Sequence, residues 1–73
     1  MVFPIQIKSS VDAVKICQEA AAADLGITVS YGTVIIDPRS ILGLLALIGK
    51  KVMLVAPDHS NPSEFRHFIK RIS

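Results

Sequence analysis

The sequence predicts an α+β fold with two layers, in which three helices cover one face of a four-stranded sheet. Segments that alternate apolar and polar residues, as half-buried strands do, are separated by segments with helix-start signals. Together they give the order β-α-β-β-α-β-α. A sheet that is apolar on one face needs a second layer to cover it, and the helices supply that layer. The first and last strands leave no room for a hairpin of their own, so we expect an antiparallel or mixed sheet with helical crossovers.

The composition indicates one packed domain, residues 1–73. A hydrophobic content of 51% supplies enough apolar surface for a core and argues against disorder. Eight basic and six acidic residues give a net charge of +2, without a basic stripe or interleaved aromatic residues. We therefore do not expect nucleic acid as a partner.

The first strand and the first helix have clear signals. Val2–Lys8 alternates, and Pro4 indicates a strand at the edge of the sheet. Ser9 and Asp12 have the spacing of a capping box, and Gly26 is a natural stop for the helix. One face of this helix is apolar and consists of Ala13, Ile16, Cys17 and Ala20.

The middle of the chain predicts a hairpin, a helix and a strand. Ile27–Tyr31 and Val34–Ile36 flank a tight turn, and Lys51–Ala56 is a mostly buried strand. Between them, Asp37 has the residue type of a helix cap and Pro38 that of a first helical position, which would put Ser40 in the first turn. The helix would then hold the most apolar run of the chain, residues 41–48.

The last helix repeats this pattern of a cap followed by proline. Asn61 is the predicted cap, Pro62 the first helical residue, and Glu64 is placed to bond back to the cap. One apolar stripe follows at helical spacing and consists of Phe65, Phe68, Ile69 and Ile72.

Membrane insertion and catalysis both lack support in the sequence. The apolar run 41–48 is much shorter than the roughly 20 residues of a membrane span, and no targeting signal is visible at the N-terminus. The single Cys17 cannot form an internal disulfide, which fits a cytoplasmic protein and also a secreted one with a free thiol. We expect a cytoplasmic protein in which Cys17 packs as a small hydrophobe. His59 and His67 lack metal-ligand spacing and are expected on the surface. We expect no enzyme activity, no metal and no cofactor.

The chain resembles HPr, the histidine-containing phosphocarrier family of the bacterial sugar phosphotransferase system. The resemblance lies in the order of elements and in the segment Arg39–Leu47. HPr proteins carry a Lys/Arg-Ser-Ile-Met-Gly-Val-Met-Ser-Leu-like segment at the start of their second helix. The resemblance implies an open-faced β-sandwich, with four antiparallel strands and three helices on one side.

The chain departs from this family at the phosphoacceptor loop. HPr proteins read roughly Gly-Leu-His-Ala-Arg-Pro-Ala there, whereas this chain has Ser9, Ser10 and Asp12 and neither histidine nor arginine. A serine phosphoester transfers poorly to the next carrier. At 4 Å and an effective dielectric of about 20, the Asp12 charge would repel a unit negative charge by roughly 4 kcal/mol. We therefore interpret the chain as a degenerate HPr homologue without phosphocarrier activity.

The resemblance implies a regulatory role for the second helix. Ser40 matches the serine that an ATP-dependent kinase phosphorylates in related proteins, whose phosphorylated form binds a transcription regulator. Arg39 would supply a nearby cation; the alternative is that the Ser40 hydroxyl only satisfies the helix backbone near Asp37. Ile41, Leu42 and Leu45 match positions that the family exposes to protein partners, whereas Leu44 and Leu47 would face the core. The expected partners are phosphotransferase-system or regulatory proteins, or a second copy through the same patch.

Two alternative functions remain at the level of sequence. One is a phosphocarrier that uses a non-standard acceptor residue. The other is a ferredoxin-like domain that binds a small ligand, because the same order of elements allows that fold.

Overall fold

The computed structural model describes residues 1–73 as four strands and three helices. In chain order they are β1 (Val2–Gln6), α1 (Ser10–Ala23), β2 (Thr28–Tyr31), β3 (Val34–Ile36), α2 (Ile41–Leu45), β4 (Lys51–Val55) and α3 (Pro62–Ile72). The order β-α-β-β-α-β-α is therefore confirmed, and each element overlaps the segment predicted for it. No helix in this fold combines the length and the hydropathy that a membrane span requires.

The four strands form one antiparallel sheet in the order β1-β4-β2-β3. β4 returns to the middle of the sheet and pairs with β1 on one side and β2 on the other. β2 and β3 form the predicted hairpin, in which Gly32 has a φ of +60°, a conformation that glycine adopts without strain. β1 and β3 are the two edges, and the edge position expected for Pro4 is confirmed.

One face of the sheet packs against the helices. Val29 of β2 and Val52 and Leu54 of β4 are buried on that face. Residues of all three helices join the same core, including Ile16 of α1 and Phe68 of α3. The α+β prediction is thus confirmed. The second layer consists of helices, so the name open-faced β-sandwich rests on the HPr resemblance.

The other face of the sheet is not covered. It carries the alternate residues of each strand, which include Val2 and Pro4 of β1, Ser30 of β2, Ile35 of β3, and Met53 and Val55 of β4. Val52 and Leu54 are buried and Val55 is half-buried, as expected for β4, whereas the expectation was wrong for Met53, which is exposed on this face. A central strand of a two-layer fold buries only every second side chain.

Side chains cap α1 and α3 close to the positions that the sequence indicates. The Ser9 hydroxyl accepts a bond from the Asp12 N–H at 3.5 Å, and the Asn61 side chain accepts from the Ser63 N–H at 2.9 Å. α1 ends at Ala23, three residues before Gly26. It ends there because Asp24 takes the left-handed conformation with a φ of +51°, which aspartate tolerates better than most residues.

Candidate functional site

A tight turn precedes α2 and replaces the helix start that the sequence predicts. The Asp37 carboxylate accepts hydrogen bonds from the Arg39 backbone N–H at 2.9 Å, from Nε at 3.1 Å and from Nη2 at 2.8 Å. The Ser40 N–H donates to the Asp37 carbonyl at 2.9 Å. Asp37 therefore caps this turn, and the prediction that it caps the helix was wrong. Pro38 is buried beneath the turn and does not begin a helix.

α2 is shorter than the apolar run from which it was predicted. Ser40 is its N-cap, with extended backbone angles and no side-chain capping bond, and the helix spans only Ile41–Leu45. The chain then continues in tight turns, in which the Leu47 N–H donates to Leu44 at 3.0 Å and the Ile48 N–H to Leu45 at 3.4 Å. Gly49, with a φ of +87°, reverses the chain towards β4. Its positive φ is a conformation that other residues rarely adopt.

The apolar side chains of this segment divide into a buried set and an exposed set. Leu44 and Leu47 are buried in the core, as predicted. Leu42 is 78% exposed, Leu45 36% and Ile48 38%. A spacing of three residues places these three on one side of a helix and of the tight turns that follow it. We refer to Leu42, Leu45 and Ile48 as the α2 surface.

Ile41 does not belong to this exposed set. It is half-buried and packs against the core cluster. The expectation that Ile41 is exposed beside Leu42 and Leu45 was therefore wrong in part. Because α2 begins at Ile41, this side chain lies at the junction of turn and helix, where it covers the edge of the core.

Gly43 fixes how closely α2 approaches the sheet. A Cβ atom at this position would lie 2.7 Å from Cγ2 of Ile36, closer than side chains normally pack. Glycine, which has no Cβ, allows the helix backbone to approach the Ile36 side chain this closely. α2 packs mainly against α1, and the contact with Ile36 brings it close to the end of β3.

The ion pair of the turn has a clear electrostatic consequence. The hydrogen bond from the Arg39 side chain, followed by that from its backbone N–H, lowers the pKa of Asp37 to about 2. In turn, the hydrogen bond to the Asp37 carboxylate raises the pKa of Arg39. The Arg39 guanidinium, expected as a nearby cation for Ser40, is thus paired with a carboxylate within its own turn.

Ser40 itself is an accessible hydroxyl. Its residue is exposed, and its side chain makes no capping bond. A helix of one turn provides only a small dipole, so the predicted electrostatic support for a phosphate is weaker than expected. Accessibility, rather than anion stabilisation, is what the local geometry offers at this residue.

Backbone N–H groups at the start of α1 are bonded to nearby side chains. The Asp12 carboxylate accepts the Lys8 N–H at 3.0 Å, and the Ser9 hydroxyl accepts the Asp12 N–H. The negative charge of Asp12 therefore lies among the N–H groups of this helix start. Ser10 is exposed as the first helical residue. Ser9, Ser10 and Asp12 are thus brought together as a helix cap.

The remaining candidates are not brought together. His59 and His67 are both exposed. Cys17 is only half-buried, and its thiol donates to the Arg39 carbonyl at 3.3 Å, which links α1 to the turn before α2. No group of three or more His, Cys, Asp or Glu side chains is arranged to hold a metal ion.

The exposure of β3 was not anticipated from the sequence. Val34 is 51% exposed and Ile35 72%, although both are strong strand formers in an apolar run. The short length of this strand was the signal available in the sequence; its position at the edge follows from the strand order, which the hairpin turn does not determine. An edge strand has a neighbour on one side only, so its side chains are less protected.

Comparison with protein-family models, with curated proteins and with solved structures finds no match for this chain. The resemblance to HPr therefore rests on the segment Arg39–Leu47 and on the order of the elements alone.

Proposed function

We propose that the chain is a non-catalytic, HPr-like domain that binds protein partners through the α2 surface. The observation that carries this proposal is the exposure of Leu42, which is 78% accessible beside two further exposed apolar side chains. Exposed apolar clusters on small domains commonly mark contact surfaces. Covering a leucine side chain on binding contributes about 1.5–3 kcal/mol, which is sufficient to make Leu42 the main anchor.

The packing that holds α2 in place supports this proposal. Leu44 and Leu47 are buried in the core, and Gly43 rests on Ile36, so the exposed side chains project from a fixed backbone. A fixed backbone loses little conformational entropy on binding. The proposed partners, phosphotransferase-system or regulatory proteins of the cytoplasm, come from the HPr resemblance.

The arrangement at α1 supports a role without phosphoryl transfer. The corresponding loop contains no imidazole, and the Asp12 carboxylate already accepts the Lys8 N–H. Regulation through Ser40 is part of the proposal, because its hydroxyl is accessible next to the α2 surface. A phosphate there would add nearly two negative charges beside Leu42 and would change which partners bind.

The test is phosphorylation of the chain by HPr kinase with ATP, followed by mass spectrometry. We expect modification at Ser40 and a loss of modification in Leu42→Glu, which places a charge on the α2 surface. Val11→Glu is the matched control, because Val11 is 72% exposed on α1, away from this surface. An unmodified Ser40, together with no binding to any phosphotransferase-system protein, would contradict the proposal.

A second experiment separates this function from that of a phosphocarrier. Enzyme I and phosphoenolpyruvate would label a phosphocarrier with an acid-labile group. We expect no labelling. A labelled chain would require an acceptor other than the missing histidine.

A further inference from the structure

The backbone hydrogen bonds determine which groups point outward at each edge of the sheet. At the β1 side, the Ile7 N–H donates to the Lys50 carbonyl at 3.2 Å, and the Ala56 N–H donates to the Met1 carbonyl at 2.8 Å. In antiparallel strands, alternate residues point to opposite neighbours. The odd-numbered residues of β1 therefore face β4, and the even-numbered residues, including Pro4, face outward.

The same alternation can be followed across the sheet. The register pairs Met53 with Ser30 and Tyr31 with Val34. Val34 and Ile36 consequently point towards β2, whereas the N–H and C=O of Ile35 point away from the sheet. Ile35 is thus the residue with both backbone groups free at the centre of the β3 edge.

The two edges differ in how they are protected. At the β1 edge the central outward position is Pro4, which has no N–H to donate. Proline at this position is a common way to block pairing by another strand. The residues of β3 include neither proline nor a charged side chain, and Ile35 is 72% exposed.

We propose that β3 pairs with β3 of a second copy of this chain, antiparallel, with Ile35 opposite Ile35 of the second copy. A two-fold axis through this point lets each Ile35 N–H donate to the other C=O. The same axis places Thr33 opposite Asp37 of the second copy, so no like charges face each other. The Asp37 charge is also balanced by Arg39. An identical edge matches this strand in length, apolar character and hydrogen-bond pattern.

The resulting assembly is a continuous sheet of eight strands with both sets of helices on the same face. The Cβ position of Gly43 in α2 lies against the side chain of Ile36, the last residue of β3, one residue from the proposed axis. The dimer would therefore display two α2 surfaces side by side. A three-residue strand buries less than the roughly 1,200 Å² of a stable interface, so we expect weak and concentration-dependent pairing.

The test is sedimentation velocity of the full chain between about 20 µM and about 1 mM, a range that covers weak pairing. We expect the mass to rise from 7.9 kDa towards twice that value. Ile35→Pro removes the outward N–H without removing a hydrogen bond to β2, and it also replaces the exposed side chain. The variant should remain monomeric, with the pairing of β2 and β3 intact in its NMR spectrum. Ile35→Lys keeps the N–H, places two cations together, and serves as the second variant should the proline variant not fold.

Met53→Lys is the control, because Met53 lies on the open face of the central strand β4 and not at an edge. It should dimerise as the unmodified chain does. Three results would overturn the proposal: a chain that stays monomeric at about 1 mM, Ile35 variants that still dimerise, or loss of the dimer in Met53→Lys, which would indicate face-to-face packing instead.

Discussion

Substitution of Gly43 by alanine tests the close contact between α2 and the Ile36 side chain. In an exposed helix this change stabilises by about 0.5–1 kcal/mol, because alanine has less backbone freedom to lose. Here the added Cβ would lie 2.7 Å from Cγ2 of Ile36. Isoleucine is branched at Cβ, so its methyl group cannot easily rotate away. Overpacking typically costs about 1–3 kcal/mol. The net expectation is a loss of about 1 kcal/mol.

Thermal and urea unfolding measure this difference. A loss of about 1 kcal/mol lowers the Tm of a domain of this size by roughly 4–8 °C. The matched background is Ile36→Ala, which removes the methyl group that the new Cβ would strike. In that background Gly43→Ala should be neutral or stabilising, so the two changes couple by about 1 kcal/mol. A Gly43→Ala variant that is more stable than the unmodified chain would refute the proposed close contact.

Three further predictions concern the turn, the core and the β1 edge. Arg39→Gln should return the pKa of Asp37 from about 2 towards its ordinary value of 3.8, as an NMR titration would measure. Because this pKa is lowered on folding, its contribution to stability is present above pH 3.8 and is lost as the pH falls towards 2. The stability of the Arg39→Gln variant should therefore depend less on pH in this range. An Asp37 pKa that stays unchanged in the variant would disprove that Arg39 lowers it. Leu44→Ala should lower the free energy of unfolding in urea by about 2–5 kcal/mol, whereas Leu42→Ala should lower it by well under 1 kcal/mol. Equal losses would contradict the assignment of Leu44 to the core and Leu42 to the surface. Pro4→Val should open the β1 edge and allow β1 to pair with β3 of another copy, which gives open-ended oligomers in light scattering. Unchanged particle size at high concentration would count against that reasoning.

The sequence predicts the order of the elements because each one has a periodic signal and a recognisable boundary. Alternation identifies β1 and β2, and caps such as Ser9 and Asn61 lie at the predicted positions. These signals are local, since they depend on residues within one turn of each other. These local predictions agree with the folded structure because the core buries the same helix and strand faces that the sequence patterns mark as apolar.

The start of α2 could not be predicted in the same way. Asp37 has the residue type of a helix cap and also that of a turn residue, and the outcome depends on whether Arg39 reaches its carboxylate. That choice is made by tertiary packing, which buries Pro38 and holds the Arg39 carbonyl against Cys17. The exposure of Ile35 likewise depends on strand order, which no local pattern specifies.

The most direct test of the proposed function is an NMR titration of the ¹⁵N-labelled chain with HPr kinase. We expect the largest shift changes at the amides of Leu42, Leu45 and Ile48, lost in Leu42→Glu and retained in Val11→Glu. Shift changes confined to other parts of the chain, or none at all with any phosphotransferase-system protein, would contradict the claim that α2 is the binding surface.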